Sequence, residues 1–496
     1  MLFRALVRHF VRRLTQPASE DAGEIEFGLG AALALLATPG VFLAIGLLDK
    51  YSSLLRWFRG KPVYVDPLPR AFADGYTLLL FSMSVTALVT IWKWDRILPD
   101  AVDRLNLGPL PVSQRRVFLA SLTAIAMVVG VFILDVNAGS LIVYPMVVMA
   151  ERMFSEFLRL LIAHLVAVGA GSVFAFCACF SVMGVLMLVI PARVFPAVSV
   201  LARAVLAGGV LAMWVTGVGP ARWFRAMYYP LSGLEGDAWL AVLALAASIG
   251  VALAAYAFGY RRGMEGRLAR ESRPLRFSLR WGATPIERAA FPFTLRGLWR
   301  DEALSLLVVS AVMTSIVVGV RARSWTYVPL YVGYAMTVSV YVAMQSAVLP
   351  ASNWIFRLLA VGVDDAMYRV ARRVICLHVG LLVVLPALFL APLVALATAC
   401  LCFILTEALL FDFRAIPFTL RPEGFRNTRV LHMFLGVIGL AIVPWIGAWV
   451  SQRPARLAAL LAVALAAPLI RRRALEADRT PLVFDTSQPE VVRLGL

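Results

Sequence analysis

Charge is scarce in this chain. Asp, Glu, Lys and Arg make up 15% of its 496 residues, against about 25% in water-soluble domains, which excludes a soluble fold. Histidine is scarcer still, with only His9, His164, His378 and His432. No two of them lie at metal-ligand spacing, and neither His-Glu-x-x-His nor Gly-x-Ser-x-Gly occurs, so the zinc-protease and serine-hydrolase signatures are missing. A phosphate-cradling Gly-x-x-x-x-Gly-Lys followed by Ser or Thr is missing too. The one Gly-Lys pair, Gly60-Lys61, runs straight into Pro62, so any nucleotide hydrolysis belongs to a partner. No stretch alternates in polarity for the roughly ten residues of a barrel strand, which excludes a transmembrane β-barrel. The five cysteines, Cys177, Cys179, Cys376, Cys400 and Cys402, all fall inside apolar segments and read as small packing residues. The expectation is no catalytic residue, no metal and no cofactor.

Hydrophobic residues supply 61% of the chain, and the mean hydropathy is +0.83. They gather into blocks long enough for the roughly 20 helical residues that cross a bilayer. Such blocks run at 27–48, 71–91, 117–134, 158–190, 199–217 and 238–260, then at 303–320, 327–349, 374–390, 392–410, 430–450 and 455–470. The pair meeting near Pro386 and Pro392 is split because the joint run is too long for one crossing. The expected fold is an all-α, polytopic membrane protein of about twelve transmembrane helices, opened by an amphipathic N-terminal helix. In that helix Leu2, Leu6, Val7, Phe10 and Leu14 share one face and Arg4, Arg8, Arg12 and Arg13 lie largely on another. The domain reading is 1–26 for this interfacial segment, 27–260 for a first six-helix half, 261–302 for an Arg-rich linker, 303–470 for a second half and 471–496 for a tail.

The formal net charge is +18, from 47 basic and 29 acidic residues. In a soluble chain that excess points to nucleic acid. Here most of the basic residues flank apolar blocks, where they set orientation and meet anionic headgroups, so membrane lipid is expected as a partner and nucleic acid is not. With both termini cytoplasmic, the inner segments hold most of the Lys and Arg residues. Asp49–Arg70 breaks the pattern, because it falls outside and carries Lys50, Arg56, Arg59, Lys61 and Arg70.

The two sets of six blocks read as a parallel tandem duplication. In each set a charged segment follows the second block. The first holds Asp95, Arg96, Asp100, Asp103 and Arg104, then Gly108-Pro109-Leu110-Pro111 and Arg115-Arg116. The second holds Arg357, Asp364, Asp365, Arg369 and Arg372-Arg373. By charge pattern alone these are solvated loops whose arginines anchor the span ends.

The stretch Asp100–Leu122 resembles permeases of type-2 ATP-binding-cassette (ABC) exporters. Asp103-Arg104, the step Leu110-Pro111-Val112-Ser113 and a basic residue, Arg115, opening the next helix all carry the likeness. The resemblance implies that this segment is a coupling helix docked in a cleft of a cytoplasmic ATPase, contacted through Asp95, Arg96, Asp100, Asp103, Arg104 and Arg115, with Pro111 shaping the return to the membrane. The second segment, with Arg357, Asp364, Asp365, Arg369 and Arg372, matches in charge order alone and lacks the Leu-Pro-Val-Ser step. The resemblance further implies two ATPase subunits per chain, a place in the bacterial inner membrane and an amphipathic or lipid-like cargo. Gly219–Asp237 matches the family's external re-entrant element in position, and its Trp223, Phe224, Met227, Tyr228 and Tyr229 suit an interface.

Two other readings stay open. An ion-gradient-driven carrier of major facilitator type also has parallel halves, but it is expected to bury carboxylates mid-span, and the blocks above hold none there. A membrane scaffold would instead use Arg261–Arg300 to bind a partner without transport. Within the blocks, His164 and His378 read as neutral imidazoles bonded to neighbouring helices, and Glu407 as a structural ion pair with Arg414.

Overall fold

The computed structural model describes residues 2–15, 40–52, 68–97, 112–149, 154–191, 194–233, 235–264, 281–300, 302–322, 325–345, 366–411, 413, 417–418, 439–440 and 442–476. All the regular elements among them are helices. Nine are long and apolar enough to cross a membrane, and a bent pair, Pro285–Trp299 with Leu304–Val320, makes up to ten. This is the make-up of a multi-pass membrane protein. The expected blocks at 27–48 and 430–450 are described only from 40 and from 439 onwards, so these helices bear on ten of the twelve expected blocks.

Two compact units divide the chain. One comprises Met1–Ser199 and Ala212–Arg273, the other Val200–Leu211 and Pro274–Leu496. In the first, α1 (Leu2–Thr15) precedes α2 (Leu68–Ile97), α3 (Gln114–Met149), α4 (Phe154–Val189), α5 (Phe195–Thr216, whose middle belongs to the second unit), the two short helices α6 (Ala221–Arg225) and α7 (Tyr228–Leu231), and α8 (Trp239–Met264). α1 is amphipathic, and its Leu6 and Phe10 are buried. It packs on α3, while α2 packs on α3 and α4, and α4 packs on α8.

α3 and α4 each run for 36 residues, about 54 Å at 1.5 Å per residue, well beyond a hydrocarbon core of about 30 Å. The block expected to end at 134 therefore continues to Met149. Apolar Leu141, Ile142, Val143 and Tyr144 carry it, and Tyr144 is tied to α2 by donating to the Ala71 carbonyl at 2.6 Å. One consequence corrects the sequence reading: Asp135 lies inside a helix, with Oδ2 buried and without a hydrogen-bond partner among the described residues.

Small residues set the helix spacing. A Cβ on Gly184 of α4 would collide with Ala255 of α8, and one on Gly171 would meet Leu79 and Met83 of α2. Without Cβ atoms at these points the backbones approach closely, the usual device where lipid provides no hydrophobic drive for association. Polar side chains complete the contacts: Ser82 and Ser172 hydroxyls lie 2.5 Å apart, and Asn137 donates to Ser82 at 2.7 Å.

The second unit contains α9 (Pro285–Arg300), α10 (Glu302–Ala322), α11 (Val328–Met344), α12 (Ala366–Val379), α13 (Leu385–Leu390), α14 (Pro392–Leu409) and α15 (Pro454–Glu476). A π turn, Gly380–Val384, joins α12 to α13, with Leu385 N–H reaching Gly380 O. It widens the helix just before Pro386, which has no N–H to donate. The division expected near Pro386 and Pro392 falls at Ala391, whose extended backbone (ψ 85°) ends one helix as Pro392 starts the next.

Part of the segment read as a linker is α9. It starts on a cap that the sequence spells as Thr284-Pro285-Ile286-Glu287. Thr284 Oγ1 accepts from Glu287 N–H at 3.2 Å, and Glu287 Oε2 accepts from Ala283 N–H at 3.0 Å, a variant of the capping box with proline at the first helical position. Ala290, Phe291 and Leu298 of α9 enter the core of this unit together with Val370, Val374 and Ile375 of α12. In this unit α9 packs on α12, α10 on α11, α11 on α12 and α14, and α14 on α15.

Candidate functional site

The coupling residues inferred from the sequence lie around the starts of α3 and α12. Asp100, Asp103, Arg104, Pro111, Arg357, Asp364 and Asp365 are outside the described residues, and Asp95 and Arg96 are described only as part of the α2 backbone. Arg115 is exposed in the first turn of α3. Arg369 and Arg372 are placed in full, and both are committed to contacts within their own unit.

α12 opens with basic residues spaced so that Arg369 and Arg373 share a face, four residues apart. Between them they hold the carboxylate of Glu287, whose side chain is fully buried. Arg369 Nε donates to Oε1 at 2.7 Å and Arg373 Nη1 to Oε2 at 2.5 Å. Burial alone would raise the Glu287 pKa. The hydrogen bonds from Arg369, Ala283 and Arg373 outweigh it and hold the carboxyl below its usual value. A carboxylate that caps its own helix while clamped by two guanidiniums fixes α9 against α12.

Arg372 points to a second cluster. Glu407, near the end of α14, accepts from the Tyr368 hydroxyl at 2.5 Å and from Arg372 Nη1 at 3.3 Å. Arg471 of α15 lies 3.3 Å from the centre of the Tyr368 ring, and its Nε donates to Phe411 O at 3.1 Å. Glu407 is a structural ion pair as expected, with Arg372 as its partner; Arg414, the partner expected from the sequence, lies outside the described residues. The charge pattern alone could not select the partner, because Arg372 is 35 residues away in sequence. Sequence reasoning missed Glu287 altogether; the Thr-Pro-x-Glu start of α9 is the signal that locates it.

Each of the two histidines within these helices meets an aromatic side chain from another helix. Trp299 Nε1, which can only donate, gives its proton to His378 Nε2 at 2.8 Å, which leaves His378 Nδ1 to donate to Val374 O at 2.7 Å. That pairing describes a neutral imidazole. His164 Nδ1 lies 2.7 Å from the Tyr228 hydroxyl, and His164 Nε2 is buried with no partner among the described residues.

Tyr228 belongs to the segment expected to be a re-entrant element. There α6 and α7 pack on α2 and α4. Phe224 and Tyr228 are fully buried, whereas Trp223 is 45% exposed. These two aromatics are core, not interface, which corrects the sequence reading. The basic loop that broke the charge rule gains a partial account here, since Lys50 pairs with Asp74 at 2.6 Å and Tyr51 donates to the same carboxylate at 2.5 Å.

Among the described residues no group of three or more His, Cys, Asp or Glu side chains is placed to hold a metal. Comparison with known proteins adds no identity: no family model, curated protein or solved structure matches the chain.

Proposed function

We propose that this chain is the membrane permease of a type-2 ABC exporter, made of two fused six-helix halves and driven by two separate cytoplasmic ATPase subunits. The bacterial inner membrane is its place, with both termini on the cytoplasmic side, and its cargo is amphipathic or lipid-like. The observation that carries this reading is the repeated packing scheme. In each unit an amphipathic helix, α1 or α9, lies on the helix that emerges from a charged segment, α3 or α12. A push on segment 94–116 or 353–373 would reach a helix already braced by its amphipathic neighbour, which is what a coupling surface requires. The short helices α6 and α7, between the fifth and sixth apolar blocks, fit the same family plan.

Alternating access then follows from mechanics and not from covalent chemistry. Closure of the ATPases on ATP drives the two charged segments together and tilts α3 and α12, and release of phosphate lets them return. Charge reversal tests this at Asp100, Asp103 and Arg104 in the complex purified from its native membrane. The reading expects the ATPase subunits to be lost or their turnover to fall to the unstimulated level while the chain stays inserted. Unchanged association and turnover would refute the docking assignment.

One observation favours a second reading. Asp135 is a carboxylate inside a long apolar helix, with a buried oxygen that has no partner among the described residues, the kind of group that an ion-gradient-driven carrier titrates. Asp135→Asn separates the two: it would abolish gradient-driven transport and leave an ATP-driven cycle running.

A further inference from the structure

Between α3, α4 and α8 the first unit holds a cavity of about 300 Å³, twice the roughly 150 Å³ that stays dry and takes up benzene in an engineered core. Its walls are hydrocarbon, with Leu122, Val129 and Ile133 from α3, Phe176 and Phe180 from α4 and Leu253 from α8. Tyr256 brings the one hydroxyl, and it is spent on Ser121 at 2.7 Å. Water in such a space would lack the two to four polar partners it needs.

The α3 wall is a single helical stripe of Leu122, Ile125, Ala126, Val129, Gly130 and Ile133, which runs about 16 Å along the axis. Gly130 forms the floor of this stripe, since a Cβ there would meet nothing within 4 Å. On the flank of α3, Met127, Val131 and Leu134 are 53%, 58% and 57% exposed, so the groove adjoins a surface that faces lipid. Two turns before Leu122, on the same stripe by helical period, stands the exposed Arg115, about 10 Å from the first wall residue. A cation in line with a hydrocarbon slot is complementary to a molecule with an anionic head and an acyl tail.

We infer that this groove is a binding site for an anionic membrane phospholipid, with one acyl chain lying between α3, α4 and α8 and its phosphate at Arg115. The site gives Arg115 to the membrane and so takes it out of the ATPase contacts that the family resemblance implies; it needs this unit alone and stands whether or not an ATPase drives the chain.

The test uses the full chain in lipid nanodiscs with two probes, phosphatidylglycerol and phosphatidylcholine, each with a photoactivatable diazirine at mid-chain. After irradiation, label on the wild-type chain concentrates in peptides covering 122–133 and 249–256, and phosphatidylglycerol labels them about fivefold more than phosphatidylcholine, the preference one basic residue gives. Arg115→Gln, a surface change, removes the headgroup preference and keeps the labelled positions. Gly130→Phe fills the floor and removes label from both peptides. Label spread evenly over all lipid-facing helices of the wild type overturns the proposal, as does a headgroup preference that survives Arg115→Gln. Should Gly130→Phe fail to fold, the wild-type map and Arg115→Gln still decide.

Discussion

Arg373 on α12 donates to the buried carboxylate of Glu287 on α9 at 2.5 Å, and that contact joins an amphipathic helix to the helix that emerges from a charged segment. Its counterpart in the first unit, α1 on α3, has no acid to offer: Leu2–Thr15 contains four arginines and no carboxylate. Both α1 and α9 pack on a helix of their own unit, but only α9 carries an acid that can fasten it by an ion pair of this kind.

Glu287→Gln leaves Arg369 and Arg373 without their anion. Breaking one side of a buried pair costs about 3 kcal/mol, so the variant should unfold at a markedly lower temperature in a detergent thermal scan. Arg369→Met and Arg373→Met together with Glu287→Leu, which remove all three charges of the cluster, should recover much of the loss.

The same contact predicts a pH signature. Because the folded-state pKa of Glu287 lies below its usual value of 4.5, its contribution is complete above that value and declines as the pH falls through the lower folded value. The stability gap between wild type and Glu287→Gln should therefore hold from pH 7 to about 5 and narrow below about 4.5. A gap independent of pH across that range would show that Glu287 acts by packing and not by charge.

Tyr368 and Glu407 offer a double-mutant cycle. Tyr368→Phe and Glu407→Gln should each destabilise the chain, and their coupling should amount to about 1.5 kcal/mol, the scale of a hydrogen bond to an ionised group. Additive losses would mean that the 2.5 Å contact contributes nothing specific.

Gly184→Val inserts a branched side chain where α4 meets Ala255 of α8. The helices must separate, at a cost of about 1–3 kcal/mol, and limited proteolysis of the chain in nanodiscs should speed up. Gly209→Ala, where an added Cβ meets nothing within 4 Å, should change little.

Hydropathy made the helical class and most helix positions legible, because blocks of apolar residues leave few alternatives in a bilayer. Helix ends were harder. α3 overran its block because the residues after Asp135 are again apolar, and a single carboxylate does not stop a helix that buries its neighbours. α9 was hidden among arginines, and only its Thr-Pro-x-Glu start betrays it. Partners were least legible: Glu407 had an arginine nearby in sequence, yet folding brought it Arg372 from another helix. The residues expected to dock an ATPase are signalled by a local motif, whereas Glu287, which braces that region in the second unit, takes its importance from burial.

Under the proposed function, work enters this chain from ATPase subunits that bind it. The most direct measurement places the chain, alone or with its co-purified ATPase subunits, in sealed vesicles carrying a fluorescently labelled phospholipid, and follows the leaflet of the probe under ATP or under an imposed ion gradient. An ATP-driven permease moves the probe only with the ATPase subunits and ATP together. Movement by the chain alone on an ion gradient would contradict it.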